Sequence, residues 1–231
     1  MPDLIMLVPT RGRPENLWQL WLAFRETCTA DTLLVAITDD DDPHLPGYEQ
    51  RYDWAAGDPR LRHITGPRLR LGGTLNAAAP VYAHQCPRIG FLGDDHRPRT
   101  VGWDSRYIEA LDALGTGLVY GDDLIQHQAL PTQVAMTSDI VLATDHMVPP
   151  GIVHLYADNA WLTLGQALGS ITYLPDVVVE HCHPIAGRAA WDEGYAEANT
   201  DERSDADREV FERWRANDLD LWVQQIREYL R

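Results

Sequence analysis

The chain has no lysine; all 19 of its basic residues are arginine. Against 35 Asp and Glu this leaves a formal net charge of −16, which argues against a broad nucleic-acid-binding surface, because such a surface needs a basic footprint. A local arginine-lined groove is still compatible with that balance. Missing lysine beside abundant Ala, Gly and Arg points to the codon usage of a GC-rich genome rather than to function. Cysteine is also scarce: Cys28, Cys86 and Cys182 are widely spaced and form no CxxC pair, so neither a disulfide framework nor a structural zinc site is implied. The N-terminal Met-Pro-Asp-Leu-Ile-Met-Leu-Val-Pro lacks the basic region of a signal peptide and reads as a first strand. No stretch approaches the roughly 20 apolar residues of a membrane helix, so a cytoplasmic protein without a membrane span is expected. Neither GxxxxGK[ST] nor GxGxxG occurs, which removes the main support for an ATPase or a nicotinamide enzyme. Internal repeats and low-complexity segments are absent too.

What is present suits one large core. The 231 residues are 45% hydrophobic and include eight Trp, enough for one domain and short for two independent enzymatic ones. Short apolar runs alternate with helical patterns, the mark of an α/β sheet with helices on its faces. Strands are expected at Leu4–Pro9, Thr32–Thr38, near Leu61–Thr65, at Arg88–Leu92 and at Val177–His181. Helices are expected at Glu15–Thr27, around Gly47–Ala56, from Gly72 through Ala83, and at Asp158–Leu168. After Val119 the alternation is irregular, broken by Pro131, Pro149 and Pro150. The last 40 or so residues are helical and charge-dense. There Trp214, Leu221, Trp222 and Ile226 suit one apolar face packed on the main body.

Ligands of open α/β sheets bind at the carboxyl ends of the strands. Here the first strand ends in Thr10-Arg11-Gly12-Arg13, the second in Asp39–Asp42, a later one in Asp94-Asp95-His96, and the last in Glu180-His181-Cys182-His183. Carboxylates, imidazoles and an arginine pair on one rim suit a divalent cation and a phosphorylated ligand. Two adjacent carboxylates after a buried strand would be costly without a cation, which favours a metal at Asp94-Asp95. His181 and His183 alternate on a strand, so His181 reads as a core residue and His183 as the candidate ligand. Arg11 and Arg13 can fork onto phosphate oxygens, one of the two being a plain loop residue. Gly72-Gly73-Thr74-Leu75-Asn76 looks like a phosphate-approach loop. Asp158 suits an N-cap or a general base equally. Asp122 and Asp123 are weaker candidates for acceptor hydroxyls, and Trp103 and Trp191 for stacking on a sugar or base. Arg97, Arg99 and Arg106 read first as a solvated helix face and second as a phosphate strip.

The order Val-Pro-Thr, a strand-terminal Asp, a Gly/Asn loop, Phe-Leu-Gly-Asp-Asp-His, an Asp opening a helix, and Glu-His-Cys-His-Pro resembles the GT-A-fold glycosyltransferases. It is most similar to the family 2-like, stand-alone enzymes of bacteria and their phages, over roughly residues 4 to 190. The resemblance implies a single Rossmann-like mixed sheet flanked by helices with a C-terminal helical extension. It divides into a nucleotide-binding half at about 1–96, an acceptor and metal half at 97–186, and C-terminal helices at 187–231. It implies that Pro9, Thr10 and Arg11 line the nucleotide pocket, that Asp39 or Asp40 accepts from the base, and that Arg70, Gly72, Gly73 and Asn76 lie along the nucleotide. Asp94 and Asp95 fall on the DxD element, with Asp95 and His183 as ligands of Mn²⁺ or Mg²⁺ and His96 as an alternative. Asp158 matches the residue that deprotonates the acceptor.

The implied partners are a nucleotide-sugar donor, a UDP-sugar favoured, and an acceptor hydroxyl on a glycan, a small molecule or a modified DNA base. No protein partner is implied. A sugar-phosphate nucleotidyltransferase ranks lower because its signature Lys is absent. A non-catalytic cation- and nucleotide-binding module and a metal-dependent nucleotide hydrolase are the remaining readings.

Overall fold

The computed structural model describes residues 1–55, 57–184, 187 and 200–231. The apolar run Leu4–Thr10 forms strand β1, and its alternation has two destinations. Leu4, Met6 and Val8 enter one hydrophobic layer with Trp21, Phe24, Trp103 and Tyr107, while Ile5 and Leu7 enter another with Leu75, Ile89, Met136 and Trp161. These five side chains of β1 are at most 1% exposed, so the strand is buried on both faces, and that is why it reads as a continuous apolar run.

The chain continues through α1 (Pro14–Thr27), β2 (Thr32–Asp39), α2 (Leu45–Ala55), β3 (Leu61–Gly66), α3 (Arg70–Ala83) and β4 (Arg88–Phe91). Then follow β5 (His96–Pro98), α4 (Trp103–Leu114), β6 (Leu118–Asp122), β7 (Val134–Thr137), α5 (Ser138–Thr144), α6 (Ala157–Leu168) and β8 (Ile171–His181). Two C-terminal helices, α7 (Asp201–Asn217) and α8 (Leu219–Tyr229), complete the described elements.

The strands form a mixed sheet in the order β3-β2-β1-β4-β7-β6-β8-β5. β1 is parallel to β2 and β4, β3 to β2, and β6 to β8, whereas β7 is antiparallel to β4 and β6, and β5 to β8. Six strands therefore share one direction, and their carboxyl ends open on one rim. Helices α1 and α4 cover one face of the sheet; α3, α5, α6 and the C-terminal pair cover the other. Among the described residues, no helix is long and apolar enough to cross a membrane.

The expected elements form, with a few differences. β8 begins at Ile171, six residues ahead of the expected Val177, because its first half pairs with β6 before a bulge at Gly121/Asp122. Trp214, Trp222 and Ile226 pack into the core as expected, but Leu221 is 51% exposed. The break at Asp218 starts a new helix, and a step of about 100° per residue then puts Trp222, Val223 and Ile226 inside and Leu221 outside. Trp103, weighed above as a stacking residue, is fully buried against Phe24 and Tyr107 and belongs to the core. Trp191 lies outside the described residues.

The centre of the sheet leaves no room for a side chain at Gly90. A Cβ there would stand 2.6 Å from both the Met6 sulfur and the Val134 carbonyl oxygen. We expect Gly90→Ala to lower stability by about 1–3 kcal/mol through overpacking, read as a lower Tm in thermal unfolding.

Candidate active site

One cavity of about 780 Å³ opens on the carboxyl rim of the sheet. Pro9 and Thr10 from the end of β1, Asp39 at the end of β2 and Asp42 beyond it, Arg68 ahead of α3 and Arg70 at its start, and the Gly93–His96 turn after β4 all line it. His181 and His183 reach it from the end of β8, Asp158 from the first turn of α6, and Arg203 from α7.

The first loop is built before any ligand arrives. Asp42, only 5% exposed, accepts from the backbone N–H groups of Gly12 at 2.7 Å and His44 at 2.8 Å, tying the β1 loop to the β2 loop. The Tyr48 hydroxyl accepts from the Arg13 N–H at 2.7 Å and meets the Thr10 hydroxyl at 3.0 Å. Arg11 pairs with Asp39 at 3.0 Å and with Asp41, and Arg68 lies 3.8 Å from the same Asp39 carboxylate. Burial raises the Asp39 pKa against the opposing pull of Arg11. Of the two Asp considered for the base, Asp39 lines the cavity and Asp40 is exposed away from it.

Asp94 and Asp95 are 6% and 7% exposed. Thr10 Oγ1 donates to Asp94 at 2.6 Å, and Arg13 stands 3.5 Å from its other oxygen. Burial and the neighbouring Asp95 nonetheless push the Asp94 carboxyl up to about 6. Asp95 has its own partner in His181, whose Nε2 is 3.4 Å away. Burial alone would lower the His181 pKa; Asp95, Asp123 and Asp158 outweigh it and raise it. Arg97 is buried rather than on a solvated helix face, and donates to the carbonyl oxygens of Asp94 and His96 at 2.7 Å, bracing the turn from below. Arg99 pairs with Glu180, and neither it nor Arg106 lines the cavity.

The reading of His181 as a plain core residue is corrected by this geometry. β8 ends at His181, so strand alternation does not extend to His183, and both imidazoles line the cavity with their rings in edge contact at 5.1 Å. His96 also lines the cavity and turns one ring nitrogen to the backbone. Its Nδ1 accepts the Gly93 N–H at 2.7 Å, which puts the proton on Nε2, and burial drops its pKa to about 3. Arg13 stands beside Asp94 and His181 beside Asp95, so each of the two buried carboxylates meets a side chain of this chain. Among the described residues, no three His, Cys, Asp or Glu side chains converge to enclose an ion. Asp95, His181 and His183 all line the cavity, and carboxylate with imidazole is a donor set that could hold a divalent ion of the transition series.

Other expected residues have different work. Gly72 is a packing glycine: a Cβ would stand 2.0 Å from the Ile152 carbonyl oxygen, and its N–H donates to Val153 O at 3.0 Å. Gly73 is crowded by Leu69 and, like Gly72, does not line the cavity. Asn76 brackets a loop, accepting from the N–H groups of Met147 and Val148 and donating to Val148 O. None of the three lines the cavity, which this segment meets through Arg68, Arg70, Leu71 and Thr74. Arg70 starts the helix at φ +64°, a left-handed conformation rare for a non-glycine residue. Asp123 organises its own loop instead of an acceptor. It accepts from the N–H groups of Ile125, Gln126 and His127 and from the Thr132 hydroxyl, and these lower its pKa against the upward push of burial. Asp122 binds Leu124 N and the His127 ring, and neither Asp lines the cavity.

Asp158 accepts from the Asn159 N–H at 2.9 Å, and burial pushes its carboxyl up to about 6. Sequence reasoning did not find Arg68, His154 or Arg203 in the cavity wall. Arg68 carries a weak signal, two residues past a strand end; Arg203 sits in a charge-dense helix and carries none.

No known family profile matches the chain, and no curated protein sequence does. Solved structures do match it. Mannosyltransferase PcManGT from Pyrobaculum calidifontis, in complex with GDP-Man and Mn²⁺, superposes with a TM-score of 0.63 at 11% identity, over 99% of this chain and 74% of that one. S. aureus TarS 1–349 in complex with UDP-GlcNAc gives 0.55 at 13% identity, over 99% of this chain and 80% of that one. Against a longer TarS structure the TM-score is 0.57 at 10% identity, and the match spans 77% of this chain and 36% of that one. The chain thus has the GT-A-like glycosyltransferase fold that its motif order led us to expect.

We expect Asn76→Ala to cost about 1–3 kcal/mol, because it leaves loop N–H groups without an acceptor, read as a lower Tm in thermal unfolding.

Proposed function

We propose that the chain is a metal-dependent glycosyltransferase that moves a sugar from a nucleoside-diphosphate donor, a UDP-sugar favoured, to an acceptor hydroxyl with inversion. One observation carries the reading: Asp158, its carboxyl pushed up to about 6, shares a single cavity with the Asp94-Asp95 turn and with arginines from three segments. A cavity of about 780 Å³ suits a nucleotide-sugar in size. The fold likeness to proteins solved with GDP-Man and UDP-GlcNAc supports the same reading.

In this scheme Pro9 and Thr10 form the nucleotide wall, Asp39 accepts from the base, and Arg11, Arg13 and Arg70 face the phosphates. Mn²⁺ or Mg²⁺, held by Asp95 and His183, would supply positive charge against that developing on the departing diphosphate. The acceptor oxygen attacks the anomeric carbon as the bond from that carbon to the diphosphate oxygen breaks. The acceptor proton passes to the Asp158 carboxylate, which is available above about pH 6. One base and one direct displacement invert the anomeric centre, by analogy with the inverting glycosidases. The acceptor is a hydroxyl of a glycan, a small molecule or a modified DNA base.

Calorimetric titration with UDP, GDP, CDP and ADP, each with Mn²⁺ and with chelator, tests the donor half. One diphosphate should bind only with metal, and Asp95→Ala should lose that binding while keeping its circular dichroism. Binding of none of the four, or binding indifferent to metal and to Asp95, would sink the proposal.

Asp158→Asn tests the base. Transfer by the native chain should rise with pH through about 6, and the variant should be slower by about 10²–10⁴-fold with no such rise. Stability should move the opposite way. Because the folded-state pKa stands above the ordinary 3.8, ionising Asp158 costs the native state stability as pH rises from there to about 6, and the full cost persists above it. Asp158→Asn is therefore expected to have the higher Tm at about pH 8, with the difference gone below about pH 4. An equal Tm at both ends would show that burial does not strain this carboxyl.

A further inference from the structure

Helix α7 belongs to the C-terminal extension, yet it carries a carboxylate where its apolar stripe calls for a hydrophobic residue. Phe211 and Trp214, four and seven positions on from Asp207, are buried in the core, and Asp207 itself is only 1% exposed. A carboxylate at such a place is costly unless its oxygens are satisfied. Among the described residues they are satisfied by one segment: Asp207 Oδ1 accepts the Val153 N–H at 2.8 Å, and Oδ2 accepts those of His154 at 2.9 Å and Leu155 at 2.8 Å.

That segment leads directly into α6, whose second residue is Asp158. Val153, His154 and Leu155 themselves line the cavity, as does Arg203 from α7. Tyr156, the residue before α6, holds φ at +66°, a strained conformation for a bulky side chain that persists only where its surroundings enforce it. The enforcement comes again from α7, since the Tyr156 ring stacks on Phe211 with centroids 5.6 Å apart. From the other side Gly72 N–H holds Val153 O at 3.0 Å.

We propose that Asp207 is a positioning residue for the reaction, fixing the 153–156 segment so that Asp158 stands at the acceptor hydroxyl, and that α7 is a working wall of the active site. The proposal rests on the reading of Asp158 as base. The carboxylate acts through the loop: it gathers three N–H groups that would otherwise be left without an acceptor, and so sets the direction from which α6 begins. Losing it frees the segment while the sheet, the Asp94-Asp95 turn and the β1 loop stay as they are. The first effect is on the geometry of proton transfer, where a displacement of about 1 Å can cost 10²-fold.

The test compares Asp207→Asn and Asp207→Ala with Asp158→Asn and with Ile226→Ala, a buried position of α8 away from the cavity. Three quantities are read on each folded variant: affinity for UDP and GDP with Mn²⁺, turnover as diphosphate release from UDP-GlcNAc and GDP-mannose, and amide hydrogen exchange at residues 153–155. For Asp207→Asn we expect kcat to fall on the order of 10- to 100-fold, exchange at 153–155 to quicken, and diphosphate affinity to hold. Ile226→Ala should lower Tm without either change. The inference is overturned if Asp207→Asn keeps native kcat, or if Ile226→Ala loses as much kcat. Should Asp158→Asn keep native kcat, the base assignment fails and the inference falls with it, whereas loss in Asp158→Asn with native kcat in Asp207→Asn defeats this inference alone. If Asp207→Ala does not fold, the isosteric Asp207→Asn decides.

Discussion

Two adjacent carboxylates buried at the end of a central strand are the constraint around which this molecule is built. Asp94 and Asp95 leave β4 side by side, and each receives its compensation from a different strand. Thr10 and Arg13 approach Asp94 from the end of β1, and His181 approaches Asp95 from the end of β8. Arg97 closes the arrangement from below through two backbone carbonyls. Removing one partner of a buried charge is far more costly than exchanging a surface pair, so the pair is tolerated only while β1, β4 and β8 hold their relative positions. The sheet and the cavity therefore stand or fall together.

The same economy explains how a chain of net charge −16 keeps arginines inside one cavity. Arg11 and Arg13 are held by Asp39, Asp41 and Asp94, so the cavity wall is a lattice of alternating charge and not a bare positive surface. Pre-positioned side chains of this kind lose little freedom when an anion arrives. Asp158 is the counterpoint, a carboxyl whose burial destabilises its charged form and so brings its proton affinity near neutrality.

Much of the fold was legible because the core is built from long-range repetition. β1, β2 and β4 are apolar on both faces, and α1 shows one apolar stripe, so periodicity located these elements. The rim was legible in outline too, since acidic and basic residues stand right after these strands. The individual roles were less so. Asn76 and Asp123 look like ligand-binding residues in the sequence because the same polar chemistry serves loop bracketing, and Gly72 looks like a phosphate glycine because close approach to a backbone carbonyl requires the same absence of a Cβ. Asp207 gave no warning at all, being one acidic residue in a helix full of them.

By itself, then, the sequence determined the alternation of strands and helices, the burial of β1, and the clustering of charged residues at strand ends, because each of these follows from patterns over neighbouring residues. Only the tertiary structure decided which of those charges meet. His181 faces Asp95, His96 turns its Nδ1 to Gly93, and a C-terminal helix grips the segment before Asp158. These pairings join residues up to 86 positions apart, as with Asp95 and His181. Their energies depend on burial and direction, neither of which is a property of any stretch of sequence read alone.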